Sequence, residues 1–430
     1  MVRDDPRAGE AGIDPFAANL KQAIMTIEGG GAGLLNSPIL GSGDDGSVDV
    51  LHPDFIRWAC DTARLPDDAA AAVAEGAAVV RAEPEQADRV RQFHRELFVE
   101  KTAPRETNER LLKAGPQAGM LAALVYLGGI PQMIEVYKAK GIPERILTDT
   151  LGDITIWMRR YYSEHGTWGL DQANWLYTHL TGQLFRLGRL QFHFMAYNRP
   201  FKVFRNRASG EVLGLSEAGV RYRADGKADG TNGISDPAGE WTSSLDEDGS
   251  AYTGHPVLPG AVAGRTAVTV SLRDWELVLE RGNTVLNVHI PEGSKMSHEL
   301  CRDSYGQAVE FFAAFFPEKP FLAFVCSSWL LAPQWPVLLP AEANIVRFQS
   351  DYCVTPGAYD ELQTLERVFG FGTKLADLPN VPRETSLQRI VFDHLAAGKV
   401  IHGAAGFLLR DDWEKGTSPS PQASMPSDRT

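Results

Sequence analysis

His289 closes an apolar segment over residues 284–290, and Glu292 follows it three residues later. An imidazole titrates near working pH, so His289 has the chemistry of a general base for an attacking amine or hydroxyl. It also fits an ordinary histidine at the end of a strand. Glu292 can serve as a base, meet a substrate, or balance the dipole of a helix that follows. Gly293, Ser294 and Lys295 then lie just before a predicted helix over 297–316, which Ser297 opens. A strand that feeds a glycine-containing loop into a helix N-terminus gathers unpaired N–H groups and a partial positive charge at one spot. Phosphate oxygens of a nucleotide-like cofactor suit that place.

A second apolar run over 320–329 ends in Cys326, Ser327, Ser328 and Trp329. Either serine can donate a hydrogen bond to a leaving group. Cys326 reads as a nucleophile or, as buried cysteines commonly are, as inert packing. Upstream, Arg186, Arg189, Gln191 and His193 form a polar row among apolar neighbours, with Gln191 and His193 on one strand face. They would orient a polar acceptor or pair with nearby carboxylates. Arg347 and Gln349 alternate in the same way on a predicted strand over 344–354. A buried charge needs a partner, so they read as a structural ion pair or as a clamp for a substrate carboxylate.

These residues need a scaffold. Residues 54–140 carry helical patterns punctuated by Pro104, Pro116, Pro131 and Pro143. Helices follow over 143–162 and 171–187, the latter with Trp175, Leu176, His179, Leu180 and Leu184 at helical spacing. The period then drops to two over 190–197, a strand. Residues 199–283 read as short strands between turns, with a loop-rich insertion over 225–264. Helices over 356–369 and 385–397 and a final strand over 399–409 complete the pattern. Trp157, Trp168, Trp175, Tyr161 and Tyr162 suit an aromatic substrate surface or, more simply, a domain interface. The glycine-rich stretch 28–47 has no Lys-Ser/Thr after it and reads as a flexible loop. Asp246, Glu247 and Asp248 lack the spacing of a calcium loop, and the tail from 411 has a disordered composition.

The 430 residues suffice for two cores, and 43% hydrophobic with 23% charged residues is ordinary for a globular chain. A net charge of −13 argues against a nucleic-acid surface and against attraction to an anionic membrane. Cys60, Cys301, Cys326 and Cys353 show neither metal-ligand spacing nor a disulfide framework. No metal is expected. The first residues are polar and acidic, unlike a signal peptide, and no apolar run approaches the roughly 20 residues of a membrane span. A cytoplasmic protein is the simplest expectation; oligomeric state is not legible.

The order of elements is similar to that of the GNAT acyltransferases. Four segments carry a closer likeness: Leu184-Phe185-Arg186-Leu187-Gly188-Arg189-Leu190-Gln191-Phe192, Asn287-Val288-His289-Ile290-Pro291-Glu292-Gly293, Phe324-Val325-Cys326-Ser327-Ser328-Trp329-Leu330 and Asn344-Ile345-Val346-Arg347-Phe348-Gln349. They resemble a bacterial acyltransferase-domain family with a helical N-acyltransferase N-terminal domain and a GNAT-like C-terminal domain. The likeness spans roughly 50–410. It implies an α+β fold: an N-terminal segment 1–50, an all-helical domain over 51–165, a mixed, mainly antiparallel sheet flanked by helices over 166–410, and a tail over 411–430. It implies acyl-CoA as co-substrate, with no permanently bound cofactor, and a small-molecule acceptor whose amine, rather than hydroxyl, attacks the thioester. Asn287 and Val288, within 286–290, would lie along the pantetheine arm, and Gly293, Ser294, Lys295 and Ser297 would meet the phosphates. Arg186, Gln191, His193, Cys326, Ser327, Trp329, Arg347 and Gln349 would face the substrates, with His289, Glu292 and Ser328 in catalysis. The chain departs from the usual Gln/Arg-x-x-Gly-x-Gly/Ala loop, having only Gly293 there. Arg367, Gly370 and Gly372 match that pattern formally, but at a predicted helix C-terminus, whose dipole disfavours phosphate. Two other readings remain: a carbohydrate- or metabolite-acting enzyme using Glu292, Asp351 and Glu299, and a non-catalytic binding protein.

Overall fold

Residues 49–293 and 296–415 are described by the computed structural model. The glycine-rich stretch 28–47, Ser294, Lys295 and the tail beyond Lys415 lie outside the described residues. Contacts divide the chain into two compact units, Met1–Gln191 with Pro291–Ser294 and Gly306–Lys319, and Phe192–Ile290 with Lys295–Tyr305 and Pro320–Thr430.

The first unit is helical. Its helices are α1 (Pro53–Thr62), α2 (Asp67–Ala82), α3 (Pro84–His94), α4 (Pro104–Leu111), α5 (Ala118–Gly128), α6 (Ile130–Lys140), α7 (Glu144–His165) and α8 (Ala173–Leu180). Proline opens α1, α3 and α4, where its missing N–H costs no helical bond. Ala69, Val73, Ala77 and Val80 recur at helical spacing along α2, and all four are buried. Helix α5 is apolar on nearly every side. The run Ala118–Lys140 has the length and composition to cross a bilayer, which the sequence reading did not anticipate, but 72% of its apolar window is buried. That is the behaviour of a core helix.

One sequence expectation fails here. The helical pattern over 171–187 stops at Leu180, and β1 (Leu184–Leu187) is a strand. Gly182, at φ 66°, supplies the left-handed residue that ends the helix. Beyond it Phe185 turns inward to Phe311, Phe312 and Phe316.

The second unit contains most of β2 (Leu190–Ala196), then β3 (Phe201–Asn206), β4 (Val212–Ser216), β5 (Arg221–Tyr222), β6 (Trp241–Thr242), β7 (Leu245–Glu247), β8 (Ala251–Gly254), β9 (Val257–Leu258), β10 (Val262–Ala263), β11 (Val268–Ser271), β12 (Trp275–Leu279) and β13 (Thr284–His289). The start of helix α9 (His298–Phe315), whose residues from Gly306 belong to the first unit, then β14 (Ala323–Ser328), α10 (Trp335–Leu338), α11 (Asn344–Ser350), β15 (Cys353–Thr355), α12 (Leu362–Phe369), α13 (Ser386–Ala396), β16 (Ala404–Leu409) and α14 (Arg410–Lys415) follow. Helix α14 runs into the segment expected to be tail. The main sheet has the order β1-β2-β13-β14-β16-β15, and a smaller one reads β12-β3-β4. Val203, Val212 and Leu279 of the small sheet pack against Val285, Ala323, Val325, Phe407 and Leu409 of the main one.

The segment 344–354 is not a strand. Residues 344–350 form α11, and β15 begins only at Cys353. Residues two apart on a helix point to different sides. Gln349 is buried and donates to the Ala332 carbonyl at 2.8 Å, while Arg347 reaches Glu299 at 3.7 Å. The proposed shared face of Arg347 and Gln349 therefore does not exist. The helix expected over 356–369 is also shorter, starting at Leu362 beneath Asp360 Oδ1.

Candidate active site

Strands β13 and β14 run parallel, but their register covers only Leu286↔Phe324 and Asn287↔Val325. Val288 and His289 on one strand, and Cys326, Ser327 and Ser328 on the other, continue beyond it. The opposite edge of β14 stays paired with β16 from Ala323↔Leu409 to Ser328↔Ala404. Ladder pairing between the two strands thus stops before their C-terminal ends.

Period-two alternation sends Asn287 and His289 to one face of β13. His193 of β2 meets them there. His289 Nε2 lies 3.1 Å from His193 Nδ1 and 3.1 Å from Asn287 Nδ2, and the two imidazoles stack at 5.0 Å. An amide nitrogen only donates, so Asn287 makes Nε2 of His289 the acceptor and leaves its proton on Nδ1. His289 is half-buried. It can take a proton at Nε2 and share it with His193. Sequence spacing marked each histidine separately but held no sign of their pairing.

The loop after β13 is less open than its sequence suggests. Gly293 has φ 135°, a conformation side chains avoid, with open space where a Cβ would stand. Glu292 is exposed. Ser297, however, caps the helix itself: its Oγ accepts from Leu300 N at 3.2 Å. Hydrogen bonds from its own main-chain N–H and then from the Ser297 hydroxyl hold the Glu299 carboxyl below its usual range. Part of the N-terminal donor set of α9 is therefore already occupied. Behind it, His298 Nε2 and Arg302 Nη1 hold the buried Asp351 at 2.9 Å and 3.3 Å. Burial pushes the Asp351 carboxyl up, and these two neighbours offset only part of that.

On β14, Ser328 is buried and its Oγ accepts from Leu330 N at 3.1 Å, leaving its own proton to donate. Trp329 packs edge-on to Trp335, whose Nε1 donates to the Trp329 carbonyl at 2.7 Å. Ser327 faces outward and receives a hydrogen bond from Arg199. Cys326 is buried, and that burial pushes its thiol up to about 12. A thiolate is then scarce at neutral pH. Cys326→Ala should accordingly keep turnover within about threefold of the parent, and iodoacetamide should leave Cys326 unlabelled in the native protein. Loss of activity with rapid labelling would restore the nucleophile reading.

The remaining candidates lie in the helical unit. Arg186 Nε reaches the Gly188 carbonyl at 3.5 Å, and Arg189 Nη1 donates to the Pro291 carbonyl at 2.8 Å. Gln191 is buried and donates to Asp153 Oδ1 at 2.6 Å. The other Asp153 oxygen takes hydrogen bonds from Trp175 Nε1 at 2.9 Å and Trp157 Nε1 at 3.2 Å and meets His179 Nε2 at 3.1 Å. Sequence reading missed this network, whose members are spread over two helices and a strand. Among the described residues, Glu164, His165 and Asp171 come close enough to share a cation, but Arg160 already holds Glu164 at 2.7 Å.

Residues 54–182 match the N-acyltransferase N-terminal domain, and residues 184–408 match the GNAT-like C-terminal domain. The chain belongs to this family. In this GNAT-like protein the parallel pair falls within the second match. No curated protein matches the sequence. Among solved structures, a mutant acyltransferase with octanoyl-CoA aligns at TM-score 0.55 and 19% identity, over 83% of this chain and 88% of that one. An acyltransferase in complex with decanoyl-CoA and teicoplanin aligns at TM-score 0.54 and 19% identity, over 87% and 90%. A third, an acyltransferase in complex with CoA and 10C-teicoplanin, aligns at 0.54 and 20%, over 82% and 87%. At such identity these likenesses speak to the fold.

Proposed function

We propose that this protein moves an acyl group from acyl-CoA to the amine of a small acceptor. The parallel pair β13/β14, registered at only two positions short of its C-terminal end, carries the reading. An extended pantetheine arm can hydrogen-bond along the β13 edge as an added strand would, with its thioester where the ladder stops. Family membership supports it, as do the octanoyl-CoA and decanoyl-CoA bound to structural relatives. The N-acyltransferase family of the helical domain favours an amine over a hydroxyl acceptor.

In this mechanism the acceptor nitrogen attacks the thioester carbonyl, forming the C–N bond as the C–S bond breaks. His289 Nε2 takes the proton from nitrogen, with His193 sharing the charge. A main-chain N–H on β13, beside Asn287 and Val288, polarises the carbonyl. The Ser328 hydroxyl donates to the departing sulfur. Gly293 and the start of α9, with Ser294, Lys295 and Ser297, would meet the pyrophosphate, Ser297 by exchanging its cap. Free thiols at Cys60, Cys301, Cys326 and Cys353 go with a cytoplasmic setting. A two-carboxylate mechanism gains less support, because Asp351 is engaged by His298 and Arg302, and Arg347 approaches Glu299.

Decanoyl-CoA and free CoA should each raise the melting temperature. At a hundredfold excess over Kd the stabilisation is about 2.7 kcal/mol. If neither shifts the melt and decanoyl-CoA yields no free thiol with any amine, the acyltransferase reading fails.

A further inference from the structure

Arg199 sits just beyond β2 and holds its guanidinium with two neutral groups. One Nη donates to Ser327 Oγ and the other to Tyr359 OH at 2.9 Å. No carboxylate among the described residues lies within ion-pair distance of it, whereas three other half-buried arginines of this unit each have one: Arg205 pairs with Asp412, Arg223 with Asp225 and Arg302 with Asp351. In a chain of net charge −13, a half-buried arginine left unneutralised stands out. Ser327 and Tyr359 fix its direction without cancelling its charge. Tyr359 is itself anchored, since its carbonyl accepts from Asn232 N at 2.9 Å, and Asn232 also bonds Glu361 at 2.6 Å and the Ile401 carbonyl at 3.1 Å. The insertion between β4 and β12 thus braces the arginine.

Its position follows from register. Asn287 is opposite Val325. Two residues further along, His289 and Ser327 take equivalent places on the two strands, and alternation turns both to the sheet face that carries Val285 and Val325. A base and the serine that tethers a guanidinium with no carboxylate partner therefore share one sheet face on neighbouring strands.

We propose that the acceptor is a carboxylate-bearing amine, its carboxylate held by Arg199 while its nitrogen faces His289. A guanidinium binds a planar carboxylate through paired N–H donors, and Ser327 and Tyr359 already hold the fork in place. This inference rests on the acyltransferase reading and deepens it.

The test uses the full chain with decanoyl-CoA and three matched acceptor pairs: glycine, phenylalanine and glutamate, each against its α-amide. Thiol release gives the rates, and the CoA-induced melting shift is measured in parallel. The free acids should be favoured in kcat/KM by at least about tenfold, mainly through KM. Arg199→Gln should bring the ratio near one while the CoA shift stays unchanged. Ser327→Ala, which keeps the charge but removes one tether, should narrow the ratio in a milder way and serves if the first variant folds poorly. A normal CoA shift with amides used as well as acids, with no acid acylated, or with the preference surviving in Arg199→Gln, overturns the inference alone. Absence of both CoA shift and thiol release instead sinks the acyltransferase reading beneath it.

Discussion

His289→Ala should lower kcat by about 10²- to 10⁴-fold, the range that positioned general bases contribute. The melting shift with decanoyl-CoA should remain, because the proposed contact of β13 with the pantetheine arm is through its backbone. The split separates two roles for the imidazole. A base acts only as the nitrogen loses its proton, so its loss appears in kcat. A residue that merely lines the arm would instead raise KM and weaken the CoA shift while turnover survived at saturation. That second pattern would remove the base from the mechanism.

His193→Ala refines the same argument. With Nδ1 of His193 3.1 Å from Nε2 of His289, a proton taken up in the reaction can be shared between two rings, whereas a second would set two imidazolium charges side by side. Removing His193 takes away the group that shares the charge but leaves the base, so the fall should be smaller. Equal losses from both variants, and no further loss in the double variant, would mean that the two rings act as one unit.

The frame of this site could be seen in the sequence. Residues 284–290, the loop at Gly293, the helix over 297–316 and the strand over 320–329 show clean changes of hydrophobic period, and β13, α9 and β14 follow them closely. Thr385 and Gln388 spell a capping box, and α13 starts there. Short segments fared worse. Ile345, Val346 and Phe348 are β-prone residues in a seven-residue run, too short for periodicity to arbitrate, and packing of Ile345 and Val346 beside Trp335 and Leu365 makes it a helix. The helical spacing from Trp175 to Leu184 hid the break at Gly182, although a glycine at that point was a fair stop signal. Partnerships were the least legible. His193 with His289, Arg199 with Ser327 and Tyr359, and Asp153 with Gln191 join residues far apart in the chain, and one sequence carries no signal of which distant polar groups meet.

Asp153 illustrates the energetic side of such a meeting, and its removal should cost the helical unit dearly. The carboxylate is buried, and four side chains converge on it: His179, Trp175, Trp157 and Gln191. Asp153→Ala strands these donors where water cannot replace the lost acceptor, at a cost of about 3–5 kcal/mol. Asp153→Asn keeps the volume but turns an amide N–H toward donors, so it should recover only part of the loss. Guanidinium titrations read by near-ultraviolet circular dichroism suit the test, because two of the partners are indoles. A midpoint unchanged in both variants would show that the network contributes nothing. The pH dependence has a defined sign. Burial opposes the charge, yet the hydrogen bond and charge of His179, with Trp175 and Gln191, outweigh it and hold the Asp153 carboxyl below its usual range. The folded state therefore binds fewer protons than the unfolded chain, and the contribution of Asp153 is full above the unfolded carboxylate value of roughly 3.9. It is lost as pH falls through the lower folded value. The gap between parent and Asp153→Asn should stay wide at neutral pH and close only in that acid window. Asp351, pushed up by burial, acts in the opposite sense: its contribution weakens as pH rises through its raised value. A gap that closes above the ordinary carboxylate range would contradict the assignment to Asp153.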